Sequence, residues 1–157
     1  MRLSLMRHAI AEDHAPSDRV RALTRAGSLQ LEQVLDALCA RGDWSPGAIL
    51  HSPYLRTTQT AEAVARRFPD VPLVAVPALA DDDLEGMLAA AVPLRDPLLV
   101  GHAPTIGMLL AWMVNAPLDS LPFERAGFGL VDFDAQVAPG AGRLVTFVGP
   151  SRLLAPR

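Results

Sequence analysis

Leu3-Ser4-Leu5-Met6-Arg7-His8-Ala9 is the stretch on which the reading of this chain turns. An apolar run ends abruptly in an arginine and a histidine. The run reads as a short buried strand. Arg7 and His8 then fall at its carboxyl end, where open α/β sheets place their ligand crevices. A cation beside an imidazole suits an anion site that holds a nucleophile or an acid/base. The pair alone reads more readily as a chance Arg-His in a strand-end loop, so the rest of the chain has to decide.

Working outward, a polar loop over residues 12–18 follows the strand, and Thr24 is placed to cap the next helix. Leu31, Val34, Leu35 and Leu38 recur there at helical spacing. Gly42 is the natural left-handed terminator of that helix. Ala48-Ile49-Leu50-His51 reads as a second strand, broken by Ser52-Pro53. A second helix begins near Tyr54 and carries Ala61, Val64, Ala65 and Phe68 on one face. Leu73-Val74-Ala75 reads as a third strand. Asp81-Asp82-Asp83 precedes a short helix with Leu84, Met87, Leu88 and Ala91 on one side, an acidic start that suits the helix dipole.

Leu98-Leu99-Val100 is a fourth strand, and Gly101-His102-Ala103-Pro104 leads into a helix with Pro104 in its first turn. Ile106, Leu109, Leu110 and Met113 form the buried stripe of that helix. Residues 129–133 and 144–147 read as a closing hairpin, and the tail from about residue 150 is expected to be loose. Strands alternating with helices predict a three-layer α/β sandwich with a mainly parallel central sheet, as one domain over residues 1–157.

Composition bounds the function. At 157 residues, half of them hydrophobic, the chain can bury one real core. A formal net charge of −3 gives no basic field for nucleic acid. The single cysteine, Cys39, excludes an internal disulfide and reads as a core residue. No apolar run approaches the ~20 residues of a membrane span, and the N-terminus enters a strand directly. The cytoplasm is the expected compartment and a monomer the expected state. The four histidines have no carboxylates at ligand spacing, so no metal and no cofactor is expected.

The chemistry converges at the sheet's carboxyl edge. Arg7 and His8 end the first strand, Arg56 opens the helix after the second, and His102 ends the fourth. Two guanidiniums and two imidazoles at one mouth suit a phosphoryl group, because arginine offers a planar, permanently charged fork to its oxygens. A neutral imidazole attacks phosphorus when one ring nitrogen is free and the other is held by a hydrogen bond. The N-terminus of the following helix adds positive potential.

Met6-Arg7-His8-Ala9, Ser52-Pro53-Tyr54-Leu55-Arg56-Thr57-Thr58-Gln59-Thr60 and Gly101-His102-Ala103-Pro104 resemble, in order and spacing, the histidine phosphatase superfamily with its phosphoglycerate mutase-like fold. The Arg-His-Ala opening, the small size and Ser17-Asp18-Arg19-Val20-Arg21-Ala22-Leu23-Thr24 resemble its SixA-like branch of phosphohistidine phosphatases. The resemblance implies His8 as nucleophile through a transient phosphohistidine. It also implies Arg7, Arg56 and His102 as the phosphate pocket, with His102 stabilising the transition state. Asp18 and Arg21 are expected at the pocket rim, with Asp18 orienting Arg21 or a catalytic cation; a solvated charge pair is the competing reading.

Many family members carry a glutamate acid between the second helix and the fourth strand. Here that segment offers Asp81, Asp82, Asp83 and Glu85, none in a recognisable motif. Such an acid typically contributes about 10²–10⁴-fold against a poor alkoxide leaving group; the labile P–N bond of phosphohistidine depends on it less. The short connections leave no cap domain, so a shallow pocket is expected to admit a side chain of another protein, a histidine-phosphotransfer domain being one candidate partner. A phosphatase of small phosphoesters is the first alternative, and a non-catalytic phosphate-binding module the second. His14 reads as solvated and His51 as structural or rim. Trp44, Trp112 and Phe128 read as packing.

Overall fold

The structure, a computed structural model, describes residues 1–157. Its elements in chain order are β1 (Arg2–Arg7), α1 (Arg25–Arg41), β2 (Ala48–His51), α2 (Leu55–Arg67), β3 (Leu73–Ala75) and α3 (Leu84–Ala91). Then come β4 (Pro97–Gly101), α4 (Thr105–Val114), β5 (Phe128–Asp132), β6 (Arg143–Val148) and α5 (Pro150–Leu153).

The six strands form one sheet in the order β3-β2-β4-β1-β5-β6. The pairs β3–β2, β2–β4 and β4–β1 are parallel; β1–β5 and β5–β6 are antiparallel. The parallel half is built from strand–helix–strand crossovers and the antiparallel edge from the closing hairpin, as the sequence pattern requires.

Both sheet faces are buried. Leu31, Val34, Leu35 and Leu38 of α1 pack with Ala61 and Val64 of α2 against Met6, Ile49 and Val100 on one face. Ile106, Leu109, Leu110 and Met113 of α4 pack with Met87 and Ala91 of α3 against Leu3, Leu5 and Leu99 on the other. Successive residues of β1 thus feed opposite cores, which is why an almost continuous apolar run was needed there. The result is the three-layer sandwich expected from the sequence.

The helix ends obey local chemistry. The Thr24 side-chain oxygen accepts from the Gly27 N–H at 2.9 Å, and Gly42 closes α1 at φ 71°. The Asp83 side chain caps α3 by accepting from the Gly86 N–H at 2.9 Å.

The structure differs from expectation at three points. Residues from 150 onward are not a loose tail at their start: Pro150 is buried, α5 forms, and Leu153 and Leu154 pack on the α1 core. Two apolar residues and a proline at a helix start supply the burial and preorganisation that a loose tail lacks. Pro104 stands at the cap of α4, one position before its first turn. Cys39 is half-buried rather than core. β3 forms over the expected residues, as an exposed edge. No helix is long and apolar enough to cross a membrane.

Candidate active site

β4 lies between β1 and β2, and the three parallel strands end level with one another. Arg7 pairs with Gly101, and His51 pairs with Val100. The ladder is extended by one bond on each side: the His8 N–H donates to Gly101 and the Ser52 N–H to Val100, both at 3.1 Å. The residues immediately beyond the three strands are His8, Ser52 and His102. Sheet register therefore gathers residues that lie far apart in sequence, and α2 adds Arg56 from its first turn.

The His8 and His102 rings lie 5.5 Å apart between centroids. His8 is 7 % exposed. Its Nδ1 sits 2.7 Å from the Ala9 carbonyl. A carbonyl only accepts, so Nδ1 carries the proton and Nε2 keeps its lone pair. Burial pushes the His8 pKa down to about 3, and the charges of Arg56, His102 and Arg7 act in the same direction; the Ala9 hydrogen bond opposes them. Burial and then Arg56 lower His102 to about 4, with Asp18 and Asp82 opposing. Both rings are neutral near pH 7.

Arg7 Nη1 donates to the Phe123 carbonyl at 2.8 Å. Arg56 Nη1 donates to the Asp18 carbonyl at 2.9 Å, and its Nη2 lies 3.3 Å from the Asp18 carboxylate. Each guanidinium is thus anchored by one end. Arg7 Nε, Arg56 Nε and His102 Nδ1 are buried and have no partner. Three orphaned nitrogens in one site suit a polyvalent oxyanion, since buried polar groups otherwise find partners.

The expected rim residues are present in part. Asp18 bridges Arg56 and Arg21, the latter at 2.7 Å. Desolvation pushes its carboxyl up, but hydrogen bonds from Arg21 and the charge of Arg56 outweigh it and hold the pKa below the usual range. Arg21 also donates to the Glu12 carbonyl at 3.1 Å, so it braces the loop that carries Asp18. Asp18, Tyr54, Arg56, Asp82, His102 and Ala103 line an open cleft of about 170 Å³.

Of the four acidic residues left open by the sequence, only Asp82 lines that cleft, and it accepts a hydrogen bond from Thr105. Asp83 is committed to capping α3. Glu85 lines a separate apolar hollow with Leu84, Leu88 and Trp112.

Sequence reasoning missed the role of Ser52 as a partner of His102: its Oγ lies 2.9 Å from His102 Nε2 and also accepts from the Tyr54 N–H at 3.3 Å. Tyr54 was read only as the start of the second helix and as part of a motif. Its ring lies edge-on to His102 and beneath both Arg56 and Arg19. Arg125, whose charge reaches Arg7, sits in a patternless stretch before β5 and gave no signal. His51 is buried with Nδ1 on the Ser52 carbonyl at 2.8 Å, a structural role, and His14 is exposed.

A phosphoglycerate mutase-like sandwich with this arginine–histidine cluster at its sheet edge defines a class, and the family comparison agrees. Residues 3–97 match the model of the histidine phosphatase superfamily (branch 1), and the chain belongs to that family. It is a phosphatase, a hydrolase of phosphorylated substrates.

Among solved structures it is similar to a protein from Agrobacterium tumefaciens provisionally named phosphohistidine phosphatase SixA. The two share 30 % identity, with 95 % of this chain and 98 % of that chain covered and a TM-score of 0.79. It is also similar to the protein histidine phosphatase SixA in complex with tungstate: 27 % identity, 98 % and 99 % covered, TM-score 0.81. A mycobacterial glucosyl-3-phosphoglycerate phosphatase shares the fold at 17 % identity, 95 % and 98 % coverage and a TM-score of 0.71. No curated protein sequence matches.

Proposed function

We propose that this protein removes the phosphoryl group from phosphohistidine on a cytosolic protein, with His8 as the nucleophile. The observation that carries the reading is the His8 ring: neutral, held at Nδ1 by the Ala9 carbonyl, and unprotonated at Nε2.

In the first step the Nε2 lone pair attacks phosphorus and the substrate P–N bond breaks. The departing imidazole nitrogen keeps that bond's electron pair and takes a proton from solvent. In the second step water attacks the phosphoryl group on His8, loses a proton to solvent, and releases phosphate and the free imidazole. Arg7 and Arg56 bind the oxygens through their unused guanidinium edges and offset the charge as it spreads. A Ser52 hydroxyl that donates to His102 Nε2 fixes the His102 proton on Nδ1, the orphaned atom, which then donates to the same oxygens. Asp18 holds Arg56 in place, and Arg21 holds Asp18.

The substrate class rests on three supports. The cleft is small and open, without a cap domain to enclose a metabolite. The similar solved structures include a protein histidine phosphatase, bound in that case to a tetrahedral oxyanion analogue. A P–N bond also tolerates the absence of a strong acid. A histidine-phosphotransfer domain is one substrate protein of this chemistry.

One observation favours a second reading. Asp82 lines the cleft near His102, where it can serve as the acid for a phosphoester. Phosphate release from a histidine-phosphorylated protein and from an aryl phosphate, at equal enzyme concentration, separates the two, with His8→Ala as blank. Fast release from phosphohistidine, with Asp82→Asn nearly as active as wild type on it, is the expected result. Preferential ester hydrolysis that Asp82→Asn reduces by about 10²-fold or more assigns phosphoester chemistry instead.

A further inference from the structure

The stretch before β5 is folded tightly around the start of the site. The Ala126 N–H lies 3.1 Å from the carbonyls of both Arg7 and His8, the Arg7 N–H donates to Gly127 at 3.1 Å, and the Gly127 N–H donates to Glu124 at 2.8 Å. Ala126 takes a left-handed conformation at φ 58° to make this turn, although it is not a glycine. The turn fixes the backbone on either side of Arg125 against the nucleophile's own strand.

Arg125 is exposed and forms no ion pair. It lines, with Arg7, Gln30 and Glu124, an open hollow of about 340 Å³ beside the phosphate site. The one carboxylate of that hollow is already engaged: Glu124 accepts from the backbone N–H of Ser151 at 3.0 Å and from its hydroxyl, at the start of α5. Two guanidiniums therefore face one hollow against a single carboxylate whose oxygens are turned to Ser151, which leaves the hollow net positive. Burial is the largest influence depressing Arg7, and Arg125 is the next. Like charges held together by a rigid turn are unfavourable in the empty protein and are relieved by an anion.

We propose that Arg125 is a specificity-determining residue that binds an acidic side chain of the substrate protein next to the phosphohistidine, while Arg7 holds the phosphoryl group. The inference rests on the phosphohistidine reading above. The anion is a carboxylate carried on the same polypeptide as the phosphoryl group; a second phosphate of a small bisphosphate has the same charge and is the source to be excluded. The open hollow favours the polypeptide, because a flanking side chain reaches Arg125 without having to fit inside a closed pocket.

The test uses the full chain and two phosphohistidine peptides that differ only in flanking residues, Asp/Glu in one and Asn/Gln in the other. Wild type is expected to favour the acidic peptide in kcat/KM by roughly fivefold, mostly through KM, as a partly exposed ion pair allows. The preference should fall with added salt. Arg125→Ala should abolish it, Arg125→Lys should retain part of it, and Arg125→Glu should invert it. Equal rates on the two peptides in wild type, or a preference that survives Arg125→Ala, overturns the role of Arg125 while leaving phosphohistidine hydrolysis intact. Failure of wild type to hydrolyse either peptide overturns both proposals. A parallel pair, an alkyl monophosphate and the matching bisphosphate, completes the test: an Arg125-dependent preference confined to the bisphosphate overturns the assignment to a protein carboxylate.

Discussion

The Nδ1–H of His8 donates to the carbonyl of Ala9 at 2.7 Å, so the proposed nucleophile is oriented by the backbone of the next residue rather than by another side chain. Burial holds the ring's pKa near 3. In the empty enzyme the His8 ring signals are therefore expected to stay those of the neutral imidazole on NMR titration from about pH 8 down to about pH 5. A midpoint near 6.5 would mean that the ring is not desolvated as described. Inorganic phosphate should raise the His102 midpoint above its empty-enzyme value of about 4, because a bound anion favours the imidazolium.

The same two rings make stability pH-dependent. Their folded-state pKa values lie below the unfolded 6.5. The unfolded chain takes up protons that the folded chain refuses, so stability is complete above pH 6.5 and is lost as pH falls toward 4 and then 3. After a discount for solvent screening, each ring accounts for on the order of 1 kcal/mol at about pH 5. Urea denaturation at pH 7.5 and pH 5 should show the loss, and His8→Gln should reduce its size. An unchanged slope in that variant would remove His8 as its source.

In the proposed mechanism Ser52 acts only through His102. Ser52→Ala is expected to lower kcat by roughly tenfold, the scale of one lost hydrogen bond, with little change in KM. Its second signature is a shifted His102 titration, which a purely structural role would not produce. Full activity with an unmoved His102 would dismiss the pairing.

Much of this was legible in the sequence, and the reasons differ by element. β1, α1, β2 and α4 carry apolar patterns that burial later matched, and Thr24 and Gly42 mark the two ends of α1 by local chemistry alone. That Arg7, His8, Arg56 and His102 meet at one sheet edge was legible because each ends or follows a strand or opens a helix on one side of a parallel sheet. The Ser52 contact was hidden because it depends on β2 and β4 ending level, a matter of register. Arg125 was hidden because a turn anchored by backbone hydrogen bonds has no side-chain pattern. The choice of Asp82 among four carboxylates required the path of the chain between β3 and α3, and α5 was missed because four residues are too few for a period.

Arg56 and Asp18 should separate sharply. Arg56 is 6 % exposed and its fork is anchored at one end, so Arg56→Lys, which keeps the charge but loses the fork, should lower kcat/KM by about 10²-fold. The Asp18 side chain is 60 % exposed, and the Asp18 backbone carbonyl still holds Arg56 when the carboxylate is gone. Asp18→Asn should therefore lower kcat/KM by less than about tenfold. The reverse order would mean that Asp18 touches the reaction directly.

The central claim is that the phosphoryl group passes through His8. The most direct measurement is to quench the enzyme in alkali during turnover of a phosphohistidine protein and locate the label by peptide mass spectrometry. A phosphoryl group on the peptide bearing His8, absent in His8→Ala, is the expected result. Turnover at the wild-type rate in His8→Ala, or a label on another residue, would contradict it.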